Sequence, residues 1–437
     1  MNIGINSREN LLVWLFSFFI FLFVLVQFHV VLFDFAININ LADFFVMLVL
    51  STLLLGFFYT RTPVRWKIKN FNIFVLLTCL ALASGWLTAF ISNYSVSWAT
   101  TKAIGWIVIL GYLYASAMLV NRLGFFAFFR FFNMLLIFFV GMLLLSDCML
   151  LLEIARGVFG DTVHLSYLTA LSGNRNALAF QILAVLSLAL AFQPLYLRNL
   201  RLNQKFLLFS VIILVCSMFL TSSRSGIATM LLLYLAAFFM RMTDWKFLFW
   251  SMSGGVLISV LVFYFPDLFY FFYDLLSVVS VDGAGASMSG KGSVVMAISS
   301  VESDVLRGQL LKDSFAMWLE NPFFGAGLGA FYTGSEAVYG VSIVQHNSVM
   351  WVLSEMGLFG FLLFSVFFMS LLWFVFFSAK RGVRNNAVIL LLLSFGAMAM
   401  FHEMLYQRIF WLFLGAVIAL GLSGRTNAAG FYHKAGV

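Results

Sequence analysis

Long apolar runs, several of them long enough to cross a bilayer, dictate what this chain can become. LLVWLFSFFIFLFVLVQFHVVL at 11–32, FFVMLVLSTLLLGFF at 44–58 and SVMWVLSEMGLFGFLLFSVFFMSLLWFVFF at 348–377 are three of them. The hydrocarbon core of a membrane takes about 20 such residues per helix. Backbone groups in lipid have no water to bond, so a continuous apolar run reads as a helix. A transmembrane β-barrel needs alternating polarity, which these runs lack. Of the 437 residues 63% are hydrophobic and 10% charged, against about 25% charged in soluble domains. The expectation is an all-α polytopic membrane protein of about twelve spans. They fall at 11–32, 41–59, 71–92, 102–120, 131–152, 176–193, 206–221, 227–241, 247–265, 347–378, 387–403 and 409–423. The first run is too long for the core of a cleavable signal and lacks a small-residue cleavage site, so it is expected to stay as a helix. Cys79, Cys148 and Cys216 lie inside these spans at uneven spacing and read as small apolar filler, with neither a disulfide nor a metal site.

Charge orients the spans. Of the 25 lysines and arginines, 17 fall in one set of alternating loops, including Arg61, Arg65, Lys67, Lys69, Lys380, Arg381 and Arg384. The positive-inside rule makes that side cytoplasmic, and both termini with it. The net charge of +8 is therefore explained by short orienting loops, and nucleic acid is not an expected partner. The other eight are Lys102, Arg156, Arg175, Arg224, Lys291, Arg307, Lys312 and Arg408. Targeting does not ask for them. Arginines at span ends commonly snorkel to the interface. Several on one face instead form an anion site, since guanidinium offers forked donors to phosphate or carboxylate.

The chain divides into spans one to nine (1–265), one long outer segment (266–346), and spans ten to twelve with a tail (347–437). The start of the long segment, PDLFYFFYDLLSVVSV, reads as an amphipathic interfacial stretch, and DGAGASMSGKGS as a flexible one. A short helix, capped by Ser300 or Ser303, is expected to run through Leu311 to Trp318 and to stop at Asn321-Pro322. The apolar content of the segment argues for a lid or binding element rather than disorder.

Four polar stretches stand out: SGNRNALAF at 172–180, TSSRSG at 221–226, Arg307 followed by NPFFGAGLGAF, and HNSVMWVLSEMGLFG from His346. All four fall on the non-cytoplasmic side of the charge-derived topology. Together they resemble the signature of the O-antigen ligase and polymerase superfamily, over roughly residues 170–375. The resemblance implies a bacterial inner-membrane glycosyltransferase of the GT-C type working at the periplasmic face. Such enzymes move a glycan from undecaprenyl diphosphate to an acceptor hydroxyl. Ligases use lipid A–core of lipopolysaccharide as acceptor; polymerases use the end sugar of another lipid-linked repeat unit. The shared motif does not separate the two. A transporter of lipid-linked sugars is the rival from another class. It would place ionisable groups at mid-span, whereas here they gather toward one face.

Position and resemblance give Arg175 and Arg224 the donor diphosphate, whose charge grows as it leaves. Arg307 is a further candidate, and Arg408 a weaker one. His346 is the candidate base, since neutral imidazole is the side chain best matched to taking a proton near neutrality. Asn347 and Ser348 would cap the following helix. His29, His164, His402 and His433 read as structural or interfacial. Glu355 lies nine positions beyond His346, half a turn off its face and about 13 Å deeper, so it reads as a buried carboxylate packed against another helix. Glu403 or Tyr406 of HEMLYQR are candidates to orient His346. Gly325, Gly327 and Gly329 either let backbone approach a ligand or form a hinge. No paired-carboxylate motif is visible on the outer face, so neither metal nor cofactor is expected.

Overall fold

Fourteen helices form among the residues that the computed structural model describes: 7–32, 35–60, 64–92, 96–158, 172, 174–199, 201–277, 292–377 and 382–419. They are α1 (Ser7–Phe23), α2 (Leu41–Thr60), α3 (Phe71–Ile91), α4 (Val96–Leu123), α5 (Phe125–Val158), α6 (Arg175–Asn199), α7 (Arg201–Leu220), α8 (Arg224–Phe239), α9 (Trp245–Ser277), α10 (Gly292–Glu320), α11 (Ala330–Tyr339), α12 (Ser348–Phe377), α13 (Val383–Ala399) and α14 (Arg408–Ile418). Six of them, α3, α4, α5, α6, α9 and α12, are long and apolar enough to cross a membrane by length and composition. Shorter apolar helices occupy Val13–Phe23, Leu41–Ser51, Gln204–Leu220, Arg224–Phe239, Val383–Ala399 and Arg408–Ile418. Each of the twelve sequence ranges overlaps one member of these two sets.

The bundle is built around α6. No residue from Leu178 to Phe192 exceeds 2% exposure, as expected for a helix apolar on every side. It packs against α7 and α13, while α14 lies against α4 and α12 against α3. Gly415 makes the α14–α4 approach close: a Cβ there would lie 2.1 Å from the Leu113 carbonyl oxygen.

Three expectations need correction. The first span does not reach residue 32. Its helix stops at Phe23, and Gln27–Leu32 pairs antiparallel with Phe35–Asn40 as strands β1 and β2. The β-branched residues of QFHVVL and FAININ suit this hairpin, and His29 sits on β1, not at a helix end. Second, the ninth helix does not end at residue 265: α9 continues through Pro266 to Ser277, so the start of the long segment prolongs it. Third, α10 is 29 residues long and starts at Gly292, so neither Ser300 nor Ser303 caps it; its end at Glu320 is where Asn321-Pro322 placed it. Most of the flexible stretch, with Lys291, and also His164 and His433 lie outside the described residues.

The long segment returns into the bundle at a broken helix. α12 is interrupted at Gly357, whose φ of 66° and ψ of −169° belong to a region open essentially to glycine alone. The break frees backbone groups, and the NPFFGAGLG loop satisfies them. Ala326 N–H donates to the Ser354 carbonyl (2.8 Å) and Gly327 N–H to that of Glu355 (3.0 Å). In return, Leu358 N–H reaches Pro322 O (2.8 Å) and Phe359 N–H reaches Phe323 O (3.0 Å). Non-helical backbone at membrane depth is tolerated where protein buries it in this way. Gly325 and Gly327 are thus neither hinge nor ligand cradle: a Cβ on either would lie about 2.5 Å from the backbone of α12 or α3.

Candidate functional site

The ends of α6, α8, α12 and the α13–α14 connection meet at one rim. Asn347 caps α12: its Oδ1 accepts from Val349 N–H and Met350 N–H at 2.9 Å each. Its Nδ2 donates to the Met400 carbonyl at 2.9 Å. Ser348 Oγ donates to the His402 carbonyl (2.8 Å) and accepts from Met404 N–H (2.9 Å). Three bonds thus fix residues 400–404 against the start of α12. They bring His402 edge-on to His346, with ring centroids 6.4 Å apart.

A polar chain continues from there. Ser225 Oγ lies 2.9 Å from His402 Nε2. Ser223, the cap of α8, accepts from Gly226 N–H and donates to Asn176 Oδ1 at 3.0 Å. Asn176 follows Arg175 in the first turn of α6, and Arg224 stands between the two serines. GNRNALAF, SSRSG and HNSVM, far apart in the chain, therefore share one hydrogen-bonded line. Arg307 joins from α10. With Gln345, His346, Asn347, Met400 and Phe401 it lines a cavity of about 200 Å³.

Desolvation and neighbouring cations disfavour protonation of both imidazoles. His346 is exposed. Even so, desolvation by its surroundings and then the Arg307 guanidinium lower its pKa, with Glu403 pulling the other way. Burial lowers His402 to about 3, helped by Arg307, His346 and Arg175.

The two candidates for orienting His346 are engaged elsewhere. Glu403 pairs with Lys102, whose ammonium is caged by the rings of Trp98, Trp351 and Tyr406 at 5.2, 5.5 and 4.7 Å. Tyr406 OH donates to the Lys102 carbonyl at 3.1 Å. Glu355 is 1% exposed and lies in the field of Lys102 and Glu403, a buried carboxylate among neighbouring helices, as expected. Arg408 also differs from expectation. Its Nε and second terminal nitrogen each contact an oxygen of Asp43 at 2.7 Å, and Tyr112 OH donates to the same carboxylate at 2.7 Å. The fork thought to face phosphate is filled by a carboxylate of α2.

Residues 209–365, from α7 to the middle of α12, match the family model described as O-antigen ligase. Over that segment, about a third of its length, the chain is similar to the O-antigen ligase family. No curated protein matches it significantly. The O-antigen ligase match contains Arg224, Arg307, His346 and Asn347, whereas Arg175, His402, Glu403 and Arg408 lie outside it and join the rim through folding. Sequence reasoning read His402 as structural or interfacial, counted Lys102 only among the outer-side cations and did not consider Asp43. The polar HEMLYQR segment held the only signal for the first.

The Asp43–Arg408 fork gives a stability test. The two side chains are 15% and 14% exposed, and removing one partner of such a pair strands the other charge. Asp43→Ala is expected to lose roughly 3 kcal/mol, read as a lower midpoint of thermal unfolding in detergent. Asp43→Ala with Arg408→Leu should recover part of that loss.

Proposed function

We propose that this protein is an O-antigen ligase of the GT-C type: a multi-pass inner-membrane enzyme with cytoplasmic termini whose site faces the periplasm. It transfers a glycan from undecaprenyl diphosphate to a hydroxyl of lipid A–core. The observation that carries this reading is the convergence of Arg175, Arg224, Arg307 and His346 on one rim of a membrane-type bundle whose 209–365 segment matches the O-antigen ligase family. The twelve-span topology, with 266–346 on the outer side, belongs to the same proposal.

In the proposed reaction His346 takes the proton of the acceptor hydroxyl. The hydroxyl oxygen attacks the anomeric carbon in line, and the bond from that carbon to the diphosphate oxygen breaks. Undecaprenyl diphosphate departs with the electron pair, its growing charge held by Arg175, Arg224 and Arg307. A single displacement inverts the anomeric centre. Preorganised arginines in a partly desolvated site suit this task. The reading includes no metal; Glu403 and Asp43 are already paired with cations.

The test is transfer by purified protein in vesicles, with a lipid-linked glycan as donor and lipid A–core as acceptor. Long glycans on lipid A–core support the ligase. A lengthened lipid-linked glycan assigns polymerase activity instead, and movement of donor across the bilayer without transfer assigns transport. In the same assay Arg224→Lys is expected to lose about 10²-fold in kcat/KM, the size of one lost preorganised donor, because an ammonium cannot reproduce the fork. Full activity of Arg224→Lys would remove bidentate diphosphate binding from the mechanism.

A further inference from the structure

A second cationic feature lies at the opposite end of α12. Leu362, Ser365, Val366, Met369, Ser370, Trp373 and Phe374 form one wall of an open groove of about 630 Å³, Phe74 of α3 faces them, and Lys67, Ile68 and Lys69 close its end. The wall is apolar and turned outward: Leu362, Val366, Met369 and Trp373 are 53%, 42%, 60% and 64% exposed.

The closing segment is rigidly held. Lys67 N–H donates to the Ile418 carbonyl at 2.9 Å, and Trp66 bridges to Ala419. Trp66 Nε1 donates to Asn72 Oδ1 at 2.8 Å, an oxygen that also accepts from Tyr114 OH at 2.9 Å. Both lysines are therefore presented at the groove mouth by fixed backbone. Among the described residues neither forms an ion pair with a carboxylate. The neighbouring charge is of the same sign: partial burial and then Arg384 lower the Lys67 pKa to about 8. A cation desolvated beside another cation is stabilised by an anion.

We propose that this groove binds an anionic glycerophospholipid of the cytoplasmic leaflet, with its phosphate on Lys67 and Lys69 and an acyl chain along α12. The groove's shape selects a lipid rather than a free anion, and its charge selects an acidic headgroup. Basic pockets between spans on the cytoplasmic side recognise acidic headgroups by this pairing. Trp373, exposed at the groove, marks the interfacial level at which tryptophan collects. The inference is independent of the chemistry proposed at the other rim and rests only on the cytoplasmic placement of residues 61–70.

The experiment is native mass spectrometry of the whole protein, released from detergent with phosphatidylglycerol or phosphatidylcholine, alongside Lys67→Gln/Lys69→Gln and Val366→Trp. The wild type should retain phosphatidylglycerol in preference to phosphatidylcholine. The double variant should weaken that retention roughly 30-fold, at about a fivefold contribution per lysine. Val366→Trp, which keeps both lysines and adds bulk at an exposed wall position, should weaken retention of phosphatidylglycerol as well. Equal retention of the two lipids by the wild type, or unchanged retention by the double variant, overturns the headgroup assignment. Normal retention by Val366→Trp overturns the groove, and displacement of the lipid by millimolar inorganic phosphate overturns the commitment to a lipid.

Discussion

His346→Ala is expected to lower glycan transfer by about 10²–10⁴-fold, the range for removal of a general base, while leaving the amount and thermal stability of the protein nearly unchanged. Among the described residues, neither His402 nor Glu403 is free to replace it. His402 is buried, with Nε2 engaged by Ser225 Oγ, and Glu403 is bound to Lys102. The fold should survive because Asn347, one residue on, caps α12 and ties down residue 400. The pH profile sharpens the test. A base works when unprotonated, so activity is lost as pH falls through its pKa. Desolvation and Arg307 lower the His346 pKa, which puts the midpoint of the acid limb of kcat/KM below the usual 6.5. Glu403 acts in the opposite direction. Glu403→Gln removes that negative charge and leaves Lys102 unpaired, and both changes move the midpoint further down. Assays from pH 4.5 to 8 in vesicles read both effects. Near-normal transfer by His346→Ala removes the base assignment, and an upward shift in Glu403→Gln removes the electrostatic account of it.

What could be read in advance followed from forces that act along the chain. Lipid favours helix along long apolar runs, so most ranges of the apolar helices were visible in composition, the β1 end of the first run excepted. The polar cap at Asn347 was visible too, because capping is a matter of neighbours. What escaped depends on which helices meet. Asp43 and Arg408 are 365 positions apart; each alone looks like an interfacial charge, and only the packing of α2, α4 and α14 makes them a pair. Lys102 and Glu403 repeat the case across 301 positions. His402 read as a span-end histidine, and its place beside His346 is set by bonds from Asn347 and Ser348 to backbone carbonyls, which carry no side-chain signature. Gly325 and Gly327 read as a hinge or an approach to a ligand, but what approaches is the protein's own backbone, α12 at Gly325 and α3 at Gly327.

That broken helix sets the largest expected effect on folding. Gly357→Val combines two faults. A β-branched residue cannot hold φ 66° and ψ −169° without strain, and a Cβ at 357 would lie 2.4 Å from the carbonyl carbon and oxygen of Phe323. The obstacle is backbone, so the 321–329 loop must withdraw. Its withdrawal breaks the four bonds by which loop and α12 satisfy each other at the break, and within a bilayer each unsatisfied group costs several kcal/mol. Gly357→Val should therefore give little or no monodisperse protein in detergent, and Gly357→Ala a strongly lowered unfolding midpoint. Gly340 supplies the control. It too has positive φ, 70°, yet a Cβ there would meet nothing within 4 Å. Gly340→Ala should cost only the left-handed strain of about 1–2 kcal/mol and leave transfer intact. Similar behaviour of the two alanine variants would mean that backbone conformation alone explains Gly357 and that the loop is not seated in the break. Separation of the two makes the docked loop the element that joins α10, with Arg307, to the helix that begins beside His346, so that a fault near the middle of α12 is felt at the rim.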